Sequence, residues 1–391
     1  MRFTFIDLII LVAIIFAVGS GYRRGFWLSL AQYAGLVLGV IVGAAVAPVL
    51  MDALKIVDST VRSLGAVLVL IVLGAIGSSL GYWVGEPIRL RLLARPESGR
   101  VDSFAGAIFS ALAVLSVSWF LGLSLYRVPS PQLSSAIQRS AVLRTLDAIA
   151  PRPPAFLARV ETIIAGVNFP AAFSGLEPAP SALPLPSNAN TPGVRAAADE
   201  TLKIQGYGCG GIVFGSGFPV GPGLVLTNAH VVAGTQGTLV RTPAGRALSA
   251  QIVLFDPDRD VAILYVKSLQ LAPIPQAIAH AGTQGAAIGY PGGGGEDVAP
   301  AVVNGEYQAE GRDIYGQKLV VRSIWTLQAK VQPGNSGGPL VDLDGHVVGV
   351  IFAASTSQPG QAYALTDAEV QTDIDQAEGR TQPVPVGPCA M

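Results

Sequence analysis

Residues 332–341 read QPGNSGGPLV, a glycine-rich turn that contains one serine, Ser336, and leads into an apolar run. Glycine-rich steps mark turns in any protein, so the stretch alone does not separate a turn residue from a nucleophile. A tight turn here would aim the backbone N–H groups of Gly334 and Ser336 into one pocket, and glycine permits the backbone angles that such a turn needs. The remainder of the chain must supply the partners of a nucleophile.

Acyl transfer by serine requires a base beside the hydroxyl, a carboxylate that orients the base, and N–H donors for the oxyanion. His230 lies in GLVLTNAHVV (223–232), where an apolar run leads into a turn, and Asp260 stands directly before the apolar run 261–266. The sequence therefore predicts His230, Asp260 and Ser336 as catalytic residues, with the N–H groups of Gly334 and Ser336 as the oxyanion hole. This chemistry needs no metal and no organic cofactor.

The other histidines and the neighbouring acidic residues are weaker candidates. His280 and His346 lie in turn-like contexts that favour a solvated or structural role. Asp256 and Asp258 belong to a polar turn, where exposure is expected. Asp260 is the better candidate because it opens a run typical of a buried strand.

From about residue 194 the chain consists of short apolar runs separated by glycine, without the alternation of strands and helices that a parallel sheet requires. Many short strands at such spacing predict an all-β barrel or sandwich. The segment 366–377 has the pattern of one helix near the C-terminus.

The first third of the chain is of a different kind. The protein has 391 residues, of which 50% are hydrophobic and 13% charged, which is too apolar for a single soluble domain. Four apolar blocks are each about as long as a membrane-crossing helix: 4–20, 25–47, 64–85 and 103–125. A cleaved signal peptide is the alternative for the first block, but its basic region is limited to Arg2 and further spans follow closely.

Small residues recur within two of these blocks. Glycines repeat every fourth residue on one helical face, which favours close packing of membrane helices: Gly35, Gly39, Gly43, Gly77, Gly81 and Gly85. Almost no ionisable residue lies deep in a span, so a transport pathway is not indicated.

The arginines indicate the orientation in the bilayer, because they prefer cytoplasmic loops. They lie between blocks one and two and between blocks three and four: Arg23, Arg24, Arg89, Arg91, Arg95 and Arg100. Both termini are then expected outside the cytoplasm, on the periplasmic side of the cell membrane. The formal net charge of −1 and the absence of a basic patch beyond these loops argue against a nucleic-acid partner.

The sequence divides the chain into three parts: a four-span membrane domain (1–126), a connecting region (127–193) and a β-rich domain (194–391). The connecting region contains two amphipathic patterns, 134–150 and 154–167, followed by a stretch rich in proline, alanine and serine (169–193). That composition predicts an extended, poorly folded linker.

Residues 200–375 resemble the chymotrypsin-like serine proteases, and within them the HtrA-like branch, through GSGF (215–218), GLVLTNAHVV, DPDRDVAIL (256–264) and PGNSGGPLVDLDGHVVGV (333–350). The resemblance implies a double β-barrel with the active site in the cleft between the barrels, and peptidase activity on proteins or peptides. The PDZ domain that often follows in this branch is not expected here.

The segment FIDLIILVAIIFAVGSGYRRGF (5–26) resembles the start of the colicin V production family of membrane proteins. The combination is similar to the membrane-anchored, acid-resistance periplasmic serine proteases of mycobacteria and other actinobacteria. This similarity implies a role on envelope proteins under acid or oxidative stress. The alternative is a non-catalytic sensor, or a scaffold or transport-associated membrane protein with a protease-like domain.

Counting six residues back from Ser336 reaches Lys330, the position that forms the base of the S1 pocket in the chymotrypsin-like enzymes. A basic side chain there argues against Lys or Arg at the P1 position of the substrate. The physiological substrate and the oligomeric state are not predicted.

The chain has two cysteines, Cys209 and Cys389. An even count in a domain placed outside the cytoplasm favours a disulfide, and two unrelated buried thiols are the alternative. A bond would pin the C-terminal tail onto the first barrel and close a loop of about 180 residues, for which the chain-entropy model gives roughly 5 kcal/mol at most.

Overall fold

The computed structural model describes residues 4–54, 59–92, 96–125, 136, 137, 139–149, 172–175, 177, 183–209, 211–355, 358 and 360–390. The chain forms two compact units, Met1–Val167 and Asn168–Met391. The predicted amphipathic segment 154–167 lies outside the described residues.

The first unit is helical. Its described helices are α1 (Phe5–Arg24), α2 (Phe26–Ala53), α3 (Ser59–Leu92), α4 (Pro96–Leu125) and α5 (Ala141–Ile149). Four of them contain a stretch long and apolar enough to cross a membrane: Phe5–Arg24, Phe26–Met51, Leu68–Arg91 and Gly99–Leu123. The prediction of four apolar helices is confirmed, and the protein is a multi-pass membrane protein.

Helices α2 and α3 pack through their glycine faces, as the four-residue spacing predicted. A Cβ atom added to Gly35 would collide with the carbonyl oxygen of Gly77, and one added to Gly77 would collide with that of Gly35. The two backbones are therefore in direct contact at this point. Such contact needs glycine, because any side chain would force the helices apart.

Two buried carboxylates connect the ends of helices in this unit. Asp102 of α4 accepts from the N–H of Phe26 (3.0 Å) and from Arg89 Nε (3.4 Å), so it joins the start of α2 to the end of α3. Asp7 of α1 accepts from Ser140 Oγ (2.6 Å) and from the N–H of Val142 (3.0 Å), which ties α5 to α1. Asp7 lies in the first turn of α1, where it supplies acceptors for N–H groups that have no partner within their own helix.

A valine at Gly77 tests the close approach of α2 and α3. Overpacking this contact is expected to cost about 1–3 kcal/mol, because the α2 backbone leaves no room for a side chain. Gly19→Val in α1 is the matched control, since a Cβ there meets nothing within 4 Å. Thermal unfolding of the detergent-solubilised protein should show a lower midpoint for Gly77→Val than for Gly19→Val. Equal midpoints would refute the glycine contact.

The second unit begins with the short helix α6 (Pro192–Glu200) and is otherwise mainly β-structure. Seven strands form the first sheet: β1 (Leu202–Gly208), β2 (Gly211–Gly221), β3 (Leu224–Thr227), β4 (Thr235–Arg241), β5 (Ala247–Ser249), β6 (Gln251–Asp256) and β7 (Val261–Tyr265). Six form the second: β8 (Gln284–Gly289), β9 (Asp297–Arg312), β10 (Leu319–Ala329), β11 (Pro339–Asp342), β12 (Val347–Ala354) and β13 (Gln361–Leu365).

Both sheets have barrel topology. The second is a closed barrel in the order β10-β13-β12-β11-β8-β9. The first has the order β5-β4-β1-β2-β3-β7-β6. Its two edge strands are separated in the chain by Ala250 alone, so the sheet must curl until its edges almost meet. A short helix, α7 (Ala229–Val232), lies between β3 and β4, and α8 (Asp367–Ala377) follows the last strand. The predicted β-barrel domain with a helix near the C-terminus is confirmed.

The sequence patterns did not predict β9 or α6. Strand β9 is the longest in the unit, yet it contains Pro300, Asn304 and Gly305, residues that normally interrupt strands. Its pairing with β10 shifts register between Thr326 and Leu327, and Asn304 is the extra residue of this bulge. The full-length pairing with β10 therefore overrides the weak local propensity.

The proline-rich stretch is less detached than its composition indicated. In the residues described it has no helix or strand before α6, but it packs on the second barrel. Ser174 N donates to Glu310 O (2.8 Å), Phe173 lies edge-on to Tyr363, and Thr191 Oγ1 donates to Leu343 O (2.5 Å). The expectation of a poorly folded linker is wrong for these segments, because their apolar and hydroxyl side chains find partners on the barrel.

Cys209 and Cys389 form a disulfide with a Cα–Cα distance of 5.7 Å. The C-terminal tail that it anchors runs along the first sheet, where Val384 N donates to Ile252 O (2.8 Å). Ala390 packs on a small apolar cluster that includes Ala229 and Ala233, the residues at either side of the His230 turn. The predicted bond is confirmed, and it fixes the tail beside the helix that carries His230.

Helix α8 carries two carboxylates with incomplete hydrogen bonding, the buried Asp373 and the partly buried Asp367. Asp373 is 2% exposed, and its nearest cation is Arg259 Nη1 at 3.7 Å. Burial raises the pKa of Asp373 to about 6, Asp256 adds to the rise and Arg259 opposes it. Burial also raises the pKa of Asp367 to about 7. Within the described part of the chain, one buried oxygen of each of these two side chains has no hydrogen-bond partner.

These carboxylates make the folded state more stable in acid. A carboxyl group whose pKa is raised by folding holds its proton more tightly when folded, so its contribution to the unfolding free energy falls as the pH rises. For Asp367 the window runs from 3.8 to about 7. Across this pH window the contribution of Asp367 to the unfolding free energy changes by about 4 kcal/mol at most, because each pH unit corresponds to about 1.4 kcal/mol.

Asp367→Asn should therefore flatten the pH dependence of stability between about pH 4 and pH 7. Asp375→Asn, on the exposed face of the same helix, is the control. Chemical denaturation at several pH values measures the unfolding free energy of each variant. A curve for Asp367→Asn that runs parallel to the wild-type curve would contradict the assignment.

Candidate active site

His230 and Asp260 form a close pair at one edge of the first sheet. His230 lies in the helix α7 that follows β3, and Asp260 stands immediately before β7, the strand that pairs with β3. His230 Nδ1 lies 2.7 Å from Asp260 Oδ2. The N–H of His230 donates to Asp260 Oδ1 at 2.9 Å, so one carboxylate binds both the ring and the backbone of the histidine.

This geometry defines the tautomer of the histidine. An ionised carboxylate only accepts hydrogen bonds, so Nδ1 must carry the proton. In the neutral ring Nε2 then has a free lone pair and can accept a proton from a neighbouring group. Asp260 is 1% exposed, while the side chain of His230 keeps 14% of its surface accessible. The imidazole ring is thus held by Asp260 on its buried side and is accessible on its other side.

Several hydrogen bonds fix the loop that carries Asp260. Asp256 Oδ1 accepts from the N–H groups of Asp258 (2.8 Å) and Arg259 (2.9 Å), forming a local turn. Arg322 Nε donates to Asp258 O (2.8 Å), and Arg322 is 3% exposed. Burial lowers the pKa of Arg322, and the negative charge of Asp260 opposes that shift. A buried cation therefore lies near the Asp260 carboxylate and helps to stabilise its charge.

Ser336 lies in the turn between β10 and β11 of the second barrel, and Ser216 of β2 joins this turn to the first sheet. The N–H of Ser216 donates to Ser336 O (2.8 Å) and its Oγ donates to Gly334 O (2.7 Å). Ser216 Oγ also accepts from the N–H of Tyr290 (2.9 Å), and Ser216 O accepts from Thr227 Oγ1 (2.7 Å). Through these bonds the turn is held against the segment that leads to His230.

The Ser336 turn has two N–H groups without a protein acceptor among the residues described. Asn335 N donates to Gln332 O (3.0 Å), Gly337 N to Ile351 O (2.7 Å) and Gly338 N to Asn335 O (2.9 Å). The N–H groups of Gly334 and Ser336 remain free, and they are the pair that the sequence predicts for the oxyanion hole. Gly334 has φ +104, and a Cβ there would collide with Tyr290 O, so only glycine fits.

The peptide bond before Gly334 has a defined direction. Pro333 O accepts from the N–H of Gly292 at 2.7 Å. Because C=O and N–H point in opposite directions across a trans peptide, the Gly334 N–H points away from Gly292. No hydrogen bond joins Ser336 Oγ to the His230 ring in the described part of the chain.

The remaining candidates of the sequence lie elsewhere. His280 is exposed, and His346 Nδ1 is 3.3 Å from Asp342 Oδ2 in a surface turn. Asp258 is partly exposed, and its Oδ1 lies 3.4 Å from Lys318 Nζ. Asp256 forms an ion pair with Arg259, in which Oδ2 lies 3.0 Å from Nη1.

One group of possible metal ligands is found in the described residues: Asp342, Asp344 and His346. It lies in the turn between β11 and β12 and includes no residue of the candidate site. Asp342 Oδ1 accepts from the N–H groups of Asp344 (3.0 Å) and His346 (2.9 Å), so the turn's own hydrogen bonds account for the cluster.

Lys330 directly follows β10, and its side chain is exposed. The next residue, Val331, is partly buried and packs on the apolar cluster inside the second barrel, which includes Ala329, Ile351 and Ala362. Of the two, Val331 is therefore the side chain that faces inward.

Ser216, Asn228 and Arg322 contribute to the site and were missed by sequence reasoning. Ser216 lies in GSGF and Asn228 in TNAH, two motifs that were recognised without a role for these residues. Arg322 interrupts the apolar run LVVRSIW, and a charge inside a strand pattern is the signal that could have identified it.

Comparison with known proteins agrees with this architecture. Residues 215–350 match the model of the trypsin-like peptidase domain, and residues 6–151 match that of the colicin V production protein. Serine protease Rv3671c of Mycobacterium tuberculosis is 32% identical over 394 residues, covering 98% of each chain. A DegP-like probable periplasmic serine endoprotease of Halomonas elongata is 37% identical over 158 residues, 39% of this chain and 32% of that protein.

Among solved structures, the active form of the Rv3671c protease matches with a TM-score of 0.51 at 36% identity, covering 55% of this chain and 99% of that one. The sequence match extends over both the membrane helices and the β-rich unit, so it is not confined to the peptidase motifs. The chain therefore belongs to the Rv3671c family of serine proteases.

Proposed function

We propose that the protein is a membrane-anchored endopeptidase that hydrolyses peptide bonds of envelope or periplasmic proteins through His230, Asp260 and Ser336. The observation that carries the proposal is the His230–Asp260 pair. Its 2.7 Å bond places the proton on Nδ1 and leaves Nε2 as an acceptor. The free N–H groups of Gly334 and Ser336 give independent support, because a serine nucleophile needs donors of this kind.

Acylation begins when Ser336 Oγ attacks the carbonyl carbon of the scissile peptide and passes its proton to His230 Nε2. The N–H groups of Gly334 and Ser336 donate to the negatively charged oxygen of the tetrahedral intermediate. Asp260 stabilises the protonated His230. The intermediate collapses as His230 gives the proton to the leaving amine, which departs and leaves an ester on Ser336.

Deacylation uses the same groups. His230 takes a proton from a water molecule that attacks the ester carbon, and a second tetrahedral intermediate forms in the same oxyanion hole. Return of the proton to Ser336 Oγ releases the new carboxyl terminus of the substrate. The cycle restores every protein group and requires no cofactor.

The P1 preference is part of the proposal. We expect uncharged side chains at P1 rather than Lys or Arg. The position six residues before Ser336 is Lys330, so it offers no acidic side chain that could bind a basic P1 residue. The partly buried Val331 adds an apolar surface next to the exposed Lys330.

Ser336→Ala should reduce hydrolysis of fluorescently quenched casein by roughly 10⁵-fold or more, because the acyl-enzyme cannot form. The exposed Ser249, on β5, supplies the matched control Ser249→Ala, which should retain wild-type activity. Circular dichroism checks that both variants are folded. Casein hydrolysis by purified Ser336→Ala at near the wild-type rate would refute the role of Ser336.

The location of the peptidase unit outside the cytoplasm rests on two features. Arginines lie in the last turns of α1 (Arg23, Arg24) and of α3 (Arg89, Arg91). This favours a cytoplasmic position for the connections from α1 to α2 and from α3 to α4. The disulfide between Cys209 and Cys389 suits an oxidising compartment. A role under acid or oxidative stress is supported by that bond and by Asp367 and Asp373, whose raised pKa values favour the folded state in acid.

Reporter fusions test the orientation. Green fluorescent protein fused after Met391 should be dark and alkaline phosphatase at the same point should be active, because only the phosphatase folds after export. Fusions after Leu92, at the end of α3, should give the reverse result. Bright fluorescence from the Met391 fusion would contradict an extracytoplasmic peptidase unit.

A further inference from the structure

Asn228 occupies the position directly before the helix that carries His230, but its side chain does not cap that helix. Its backbone has the extended angles of an N-cap residue, φ −80 and ψ 150, and no side-chain bond to the helix is formed. Asparagine is among the residues preferred at this position because its side-chain oxygen normally accepts from the first turn. Here Asp260 Oδ1 accepts from the N–H of His230 instead, at 2.9 Å.

The side chain of Asn228 points to the backbone of Asp260. Asn228 Nδ2 donates to Asp260 O at 2.8 Å, and both residues are buried, at 0% and 1% exposure. Of the two polar atoms of the asparagine amide, only the nitrogen can donate to a carbonyl oxygen, so this contact fixes the orientation of the amide. The two residues thus hold each other: the Asp260 carboxylate binds the helix after Asn228, and the Asn228 amide binds the Asp260 backbone.

Asp260 needs such support because its backbone is unusual. It has φ +65, and among the described residues only Cys209 is another non-glycine residue with positive φ. This left-handed conformation is unfavourable for a residue with a side chain and persists only where surrounding contacts determine it. The conformation decides where the carboxylate points.

The other polar atom of the Asn228 side chain, Oδ1, does not stabilise the fold. Asn228 Oδ1 is buried and has no hydrogen-bond partner among the residues that the structure describes. A buried acceptor without a partner is destabilising, so the residue does not serve stability through this atom. Its one side-chain hydrogen bond is the one to Asp260.

We propose that Asn228 is a positioning residue that holds the Asp260 backbone in its left-handed conformation and thereby aims the carboxylate at His230 Nδ1. This inference rests on the proposed function. Asn228 contacts no reacting atom; it acts on the base through Asp260. Loss of its amide lets the Asp260 backbone relax, which weakens the orientation of His230 and slows proton transfer from Ser336.

Replacement by serine separates this role from helix capping. Serine is as good an N-cap residue as asparagine, but its hydroxyl lies one bond closer to the backbone than the amide nitrogen does. Asn228→Ser can therefore cap the helix and cannot reproduce the bond to Asp260 O. Asn228→Asp gives a second test, because the side chain has the same shape, can cap a helix and cannot donate when ionised.

The experiment measures the reaction of the full-length, detergent-solubilised protein with a fluorophosphonate probe, which modifies activated serines. The dependence of the rate on probe concentration separates the binding constant of the probe from the maximal rate of modification. Thermal unfolding is recorded for each variant. Thr191→Ala removes the N-cap acceptor for Val194 N in α6 together with the bond to Leu343 O, and it is the control for a lost cap remote from His230.

Asn228→Ser and Asn228→Asp should keep a melting temperature no lower than that of Thr191→Ala and the wild-type binding constant. Their maximal rate should fall by about 10- to 100-fold, as expected when a catalytic group is displaced. Wild-type rates in either folded variant would overturn the proposal, and so would failure of both to fold, since Asn228 would then serve stability. The proposed function fails separately if the wild-type protein is not modified or if Ser336→Ala is modified equally.

Discussion

The candidate site depends on the hydrogen bonds of one buried residue, Ser216. Ser336 belongs to the second barrel and His230 to the first sheet, so no local pattern brings them together. Ser216 joins the two by donating to Ser336 O and Gly334 O while it accepts from Tyr290 N. Because Ser216 is fully buried, these bonds are protected from water and their loss would leave several polar groups unsatisfied. The position of Ser336 therefore follows from the contact between the two halves of the peptidase unit.

Most of the architecture could be predicted because its signals are local. Four long apolar blocks indicate membrane helices independently of the rest of the chain. The glycines at 35 and 77 belong to four-residue repeats, and this spacing alone marks the face through which the helices pack. His230, Asp260 and Ser336 each lie in a short motif. By contrast, Ser216 and Asn228 act through hydrogen bonds to Ser336 and Asp260, which are distant in the sequence. The spacing of residues in a motif does not predict such long-range bonds. Strand β9 was missed for the same reason, since its pairing partner compensates for Pro300, Asn304 and Gly305.

Acid acts on the peptidase unit in two opposing ways. Protonation of Asp367 and Asp373 removes the cost of burying their charges and stabilises helix α8 against the barrel. Protonation of a histidine base removes the lone pair that accepts the serine proton. Arg259 links the two regions, because it pairs with Asp373 of α8 and directly precedes Asp260 in the chain. Acid thus favours the folded state through these two carboxyl groups, while the proposed chemistry requires the neutral ring.

The most direct test of the account is the location and the histidine dependence of a single covalent modification. Full-length protein is treated with a fluorophosphonate, its mass is measured intact, and the adduct is mapped by digestion to one residue. The account predicts one adduct per chain on Ser336, and a strong loss of this adduct in folded His230→Ala. An adduct on another serine, or undiminished labelling of Ser336 without His230, would contradict it.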